Sequence, residues 1–178
     1  MSQVYDVLIL GGGPAGLSMA TTLARQAYTA LILDSNVYRN ARATHMHNVP
    51  GFDHVPPADF RAKVRSDLMA RYKSVEFRDA TTIVEVRQRQ STTSGCEFCN
   101  ADGGNTSTAL EFKNDVVENI MAQNGSSSTV AALADAKFEA RDAHGNVFYG
   151  KKLGIATGVR DRLEEQVDGY AECWGRGM

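Results

Sequence analysis

Gly11, Gly13 and Gly16 stand in a Gly-x-Gly-x-x-Gly spacing within the turn Gly11-Gly12-Gly13-Pro14-Ala15-Gly16. Glycines at this spacing can cradle a diphosphate. Gly11 permits a tight turn. Gly13 lets an anion approach the backbone with no side chain in the way. Gly16 lets a helix pack closely on a strand. A helix starting there also turns unpaired N–H groups and the positive end of its dipole toward the phosphates. Asp34 follows Gly13 by 21 residues. A carboxylate there can accept both ribose hydroxyl hydrogens, and it would repel a 2′-phosphate, which disfavours NADP. A purely structural glycine turn is the alternative.

The surrounding elements are those the motif requires. Residues 4–10 are a short apolar run ending in glycines, which reads as a buried strand. Residues 14–26, rich in Ala, Leu and Met, read as a helix, and residues 30–34 as a second buried strand. Together they make a β-α-β unit. Residues 35–56 carry Pro50, Gly51, Pro56 and several polar residues, and are expected to be mostly loop. A helix over 57–72 follows, with Phe60, Val64, Leu68 and Tyr72 on one face and Pro57 at its start. Short strands are predicted at 75–78 and 82–87. A strand at 137–141, a turn at His144-Gly145-Asn146, a return strand at 147–151 and an apolar strand at 153–157 complete the pattern.

Residues 88–135 differ in composition, being rich in Ser, Thr, Asn, Gly and Ala. They read as a flexible insertion within one domain spanning 1–178, with one amphipathic helix suggested by Phe112, Val116, Val117, Ile120 and Met121. A formal net charge of -2 gives no reason to expect nucleic acid or an anionic membrane as partner. No apolar run approaches the roughly 20 residues that span a bilayer. The N-terminus lacks the features of a signal peptide, so a cytoplasmic location is expected. Cys96, Cys99 and Cys173 are too few for a disulfide scaffold and suit a reducing compartment. His45 and His47 lie close together, but no third ligand is apparent and no metal is assigned.

Gly154-Ile155-Ala156-Thr157-Gly158 ends a strand far downstream of the first motif. Here the chain resembles the two-dinucleotide-domain flavoproteins, which carry an Ala-Thr-Gly turn near the cofactor. That resemblance favours FAD over NAD. Residues 34–40 (Asp34, Ser35, Asn36, Val37, Tyr38, Arg39, Asn40) and 44–51, which include His47 and Asn48, narrow it. They resemble the low-molecular-weight thioredoxin reductase family and, within it, the fungal dithiol oxidases of epidithiodiketopiperazine biosynthesis, the gliotoxin-oxidase group. Residues 152–161 and Trp174-Gly175-Arg176-Gly177 also fit.

The resemblance implies an α/β fold: a Rossmann-like, three-layer FAD-binding domain with a parallel sheet and a small antiparallel β-meander, here incomplete. It implies FAD contacts at Gly13, Pro14, Ala15 and Gly16, along Asp34 to Asn40, at His47 and Asn48, and at Ala156, Thr157 and Gly158, with a backbone contact to adenine near Val84. It further implies a small-molecule dithiol or disulfide substrate and a homodimer. Arg39 could neutralise phosphate charge, and His47 and Asn48 could bond the ribityl chain or flavin; each could equally serve only its loop.

The family's working Cys-x-x-C pair is expected after a segment like Trp174-Gly175-Arg176-Gly177, and its second nucleotide domain later still. The present residues are therefore expected to be the N-terminal part, and no catalytic residue is assigned. Cys96 and Cys99 have the right spacing but lie in the insertion, without a basic neighbour to lower a thiol pKa. Cys173 reads as a packing residue. A catalytically inactive FAD- or nucleotide-binding protein and a fragment of an NAD-dependent dehydrogenase remain as alternatives.

Overall fold

The computed structural model describes residues 3–89, 133, 135–159 and 168–169. Strand β1 (Val4–Leu10) leads into helix α1 (Pro14–Arg25), and β2 (Ala30–Leu33) follows. A short 3-10 turn covers Arg39–Arg42. Helix α2 (Pro57–Arg71), β3 (Val75–Arg78), β4 (Ile83–Gln88), β5 (Phe138–Asp142) and β6 (Val147–Ile155) complete the described elements.

The strands form one sheet in the order β3-β2-β1-β6-β5-β4. β3, β2, β1 and β6 run parallel, and β6, β5 and β4 form an antiparallel meander. β6 belongs to both parts, so the meander continues the parallel sheet. This is the α/β, Rossmann-like arrangement the motifs imply.

Alternation along the strands builds a core on each face of the sheet. Val7, Ile9, Ala30, Ile32 and Val75 face α1 and α2 and cluster with Leu17, Ala20, Phe60 and Leu68. Val64 and Tyr72 pack at the margin of that cluster, completing the apolar face predicted for α2. Tyr5, Leu8, Leu10, Leu31 and Leu33 point the other way and meet Ala140 of β5, with Ile83 and Phe148 packed against them.

One expectation is corrected. Residues 147–151 and 153–157 read as two strands, with Lys152 between them. They are one strand, β6. Lys151 is accommodated by Asp6 at 3.2 Å and Asp135 at 3.0 Å. Gly150 lies over Leu8, where a Cβ would come within 2.7 Å of Leu8 Cγ, so β1 and β6 can pair along their length.

The β5-β6 turn forms where His144-Gly145-Asn146 predicted it. Gly145 has φ +84°. The buried Asp142 carboxylate accepts from the N–H groups of His144 (2.9 Å) and Asn146 (2.8 Å) and from Asn146 Nδ2 (2.8 Å). The Asn146 bonds, followed by that from His144, hold its pKa below the ordinary carboxylate value.

The predicted insertion at 88–135 falls almost wholly outside the described residues, with Cys96, Cys99 and the 112–121 helix. Cys173 and residues 174–177 lie outside them as well. At the edges of the insertion, Gln88 pairs with Phe138, and Leu133 packs with Ala136 on Tyr149.

Candidate functional site

Parallel sheets of this kind place ligands at the carboxyl ends of strands, where consecutive connections leave in opposite directions. Here that point lies between β1, whose chain continues to β2 on one side, and β6 on the other. A cavity of about 530 Å³ opens there, within the usual range for a cofactor or ligand pocket. Residues 10–15, 33–35, 37–40, 81–86 and 156–158 line it.

Three backbone bonds align the strand ends beneath it. Gly11 N–H donates to Leu33 O at 2.8 Å, and Ala156 N–H to Leu10 O at 2.9 Å. Asp34 N–H donates to Arg78 O at 2.9 Å. Asp34 O then accepts from Thr81 N–H at 2.8 Å, which draws the start of β4 against the cavity.

The glycines divide by what surrounds them. Gly11 has φ +106°, and a Cβ there would overlap the Ala156 carbonyl oxygen. A Cβ on Gly16 would overlap the Gly11 carbonyl oxygen, so Gly16 serves close helix-strand packing beneath the cavity wall. Gly13 is different. A Cβ there would meet no atom within 4 Å, and its φ of -74° is open to any residue. The protein's own packing does not require glycine at this position; the space it leaves belongs to the cavity. Gly13 is also the N-cap of α1, with no side-chain cap and no acidic residue in the first turn. The helix end therefore keeps its capacity for an anion.

Asp34 is 2% exposed, and its carboxylate is already oriented. Oδ1 accepts from Asn36 N–H at 3.1 Å and Oδ2 from the Tyr38 hydroxyl at 2.5 Å. Burial, and then the bond to Asp34, push the Tyr38 phenol up to about 12, so it remains a donor at neutral pH. The guanidinium of Arg61, from α2, lies 3.9 Å from the Tyr38 ring centroid. Arg61 also donates to Asn40 Oδ1 at 3.1 Å.

Most of the residues picked out by the sequence meet in this cavity: Gly11, Gly13, Pro14, Ala15, Asp34, Ser35, Val37, Tyr38, Arg39, Asn40, Val84, Ala156, Thr157 and Gly158. Asn36 turns with φ +62° and serves the wall through its bond to Asp34. His47 and Asn48 are exposed and are not among the lining residues. Asn48 N–H lies 3.3 Å from Asp53 Oδ1, and His47 Nδ1 lies 3.4 Å from the same oxygen. The sequence showed no third metal-binding side chain near the histidines. The fold brings Asp53 and His54 to His47, all exposed, with ligand atoms within 4.8 Å of one another. Gly12, part of the turn read from the sequence, lines the cavity too; Thr81, Thr82, Ile83, Glu85 and Val86 also line it and were not foreseen. Thr81, Thr82 and the β4 residues carried no local signal, because their place depends on sheet order.

The sequence matches the pyridine nucleotide-disulphide oxidoreductase family over residues 5–177. The chain belongs to that family. It is 34% identical to the thioredoxin reductase tcpT of Claviceps purpurea (strain 20.1) over 177 residues, 99% of this chain and 41% of that protein. It is 35% identical to the thioredoxin reductase aclD of Aspergillus oryzae (strain ATCC 42149 / RIB 40), over 99% of this chain and 42% of that one. Among solved structures, HlmI superposes with a TM-score of 0.66 at 22% identity, over 100% of this chain and 42% of HlmI. An oxidoreductase from Agrobacterium tumefaciens gives 0.64 at 24%, over 97% and 42%. These two show the shared fold. The chain thus spans about two fifths of the length of the curated relatives named here. Among the described residues, no helix is long and apolar enough to cross a membrane.

Proposed function

We propose that this chain supplies the FAD-binding part of a thioredoxin reductase-like dithiol–disulfide oxidoreductase. The observation that carries the reading is the open space over Gly13, a glycine that protein packing does not require, at the uncapped N-terminus of α1. The residues present fit the cofactor. The 11–13 turn and the first amides of α1 would hold the diphosphate. Asp34 would accept from the adenosine ribose. Arg39, which lines the same cavity, would face phosphate charge. Val84, 62% exposed and lining the same cavity, offers an apolar surface and backbone for the adenine. His47 and Asn48, outside this cavity, would lie toward the ribityl and flavin end.

When bound, FAD would supply electron acceptance from a dithiol, or donation to a disulfide. The substrate class we assign is a small-molecule dithiol or disulfide, in a homodimeric, cytoplasmic enzyme of secondary-metabolite biosynthesis. Family membership and the fungal relatives named thioredoxin reductase support this assignment.

Calorimetric titration of the purified chain with FAD, NAD and NADP tests the reading. One FAD per chain should bind, and more tightly than either nicotinamide cofactor. Tighter binding of NADP, whose 2′-phosphate would face Asp34, would overturn it. FAD binding without dithiol turnover would instead mark the chain as a nucleotide-binding protein that is inactive by itself.

A further inference from the structure

The carboxylate of Asp34 is engaged on both of its oxygens by the protein itself. Oδ2 receives the Tyr38 hydroxyl at 2.5 Å. The same oxygen lies against Gly12, where an added Cβ would overlap it. Its two sides are therefore taken by a phenol and by the glycine turn. Oδ1 receives Asn36 N–H at 3.1 Å and keeps one lone pair. Tyr38 cannot swing away freely, because Arg61 lies over its ring at 3.9 Å and is itself tied to Asn40 at 3.1 Å.

We propose that Tyr38 is a positioning residue that locks the Asp34 carboxylate against the glycine turn, so that the site engages a ribose through Oδ1 alone. The inference rests on the FAD reading and deepens it. It revises the expectation that Asp34 takes both ribose hydroxyls: Asp34 takes one, and Tyr38 decides which oxygen is offered. Helix α2 takes part through Arg61, which braces the ring from outside the cavity.

The experiment compares ADP, 2′-deoxy-ADP and 3′-deoxy-ADP by calorimetry on the wild-type chain and on Tyr38→Phe. The substitution keeps the ring under Arg61 and removes only the hydroxyl. On the wild type, one deoxy analogue should bind about tenfold more weakly than ADP, the worth of one hydrogen bond to a charged group, and the other within about twofold. Tyr38→Phe should weaken ADP by a similar factor and flatten the difference between the analogues. Equal losses for both analogues on the wild type would overturn the proposal, as would unchanged ADP affinity and selectivity in Tyr38→Phe. Equal analogue losses on the wild type overturn the proposal even if the variant fails to fold. If neither FAD nor ADP binds the wild type, the FAD reading falls and this proposal with it. If both bind and the analogues lose equally, only this proposal falls.

Discussion

Gly12 and Asp34 are in direct contact: a methyl group on the Gly12 Cα would overlap the Asp34 Oδ2 oxygen. The carboxylate is short, buried and tied to Tyr38 and Asn36, so it has little room to yield. Gly12→Ala should therefore displace Asp34 and cost about 1–3 kcal/mol of stability, as overpacked sites do. FAD affinity should fall along with it. Thermal unfolding and an FAD titration on the same preparation check both effects. An alanine variant matching wild type in both would show that the contact is unimportant.

Gly150 makes a comparable contact far from the cavity. Its Cβ would come within 2.7 Å of Leu8 Cγ and 3.3 Å of the Leu8 backbone nitrogen, and Leu8 is fully buried. Gly150→Ala should destabilise the chain by about 1–3 kcal/mol by forcing β1 and β6 apart. Chemical denaturation would show this as a lower midpoint with an unchanged slope.

Asp6 sets an acid limit on stability. Its carboxylate accepts from the Thr29 N–H at 3.0 Å and hydroxyl at 2.8 Å, joining the start of β1 to the entry of β2. The backbone bond from Thr29, then the hydroxyl bond, hold its pKa below the ordinary value of 3.8. A depressed native pKa means the contribution is fully present above the unfolded value and is lost as pH falls through the native one. Asp6→Asn should cost about 1 kcal/mol at neutral pH. The gap between variant and wild type should close as the pH falls below about 4. Melting curves across pH 2–7 would reveal this, and a gap constant with pH would contradict it.

Legibility in the sequence followed the range of the interactions involved. The β1-α1-β2 unit was readable because apolar runs, three glycines and Asp34 lie within one short stretch, each doing a local task. The Asp142–Asn146 turn was readable for the same reason. Failures came where distant residues decide. The strand expected to end at Lys151 runs on to Ile155, with Lys151 held by Asp6 and Asp135. Thr81 to Val86 became a cavity wall only because Asp34 O binds Thr81 N–H and β4 closes the sheet. Gly12 lay within the recognised turn, but its contact with the Asp34 side chain, some twenty positions away, was not legible. Asp34 itself was recognised, but its bond to Tyr38, and hence the single oxygen it offers, depends on side-chain geometry.

On the FAD reading, the open space above Gly13 is kept for the cofactor's diphosphate. A flavin fluorescence titration of wild type beside Gly13→Ala tests it most directly. The alanine meets no protein atom within 4 Å, so its stability should fall only by what alanine costs in place of glycine at the N-cap of α1, about 1 kcal/mol. Wild type should bind FAD saturably at one per chain, and the variant should lose at least about tenfold in affinity, since its methyl group would occupy the cradle. No saturable binding by wild type, or equal affinity in the two proteins, would contradict the account.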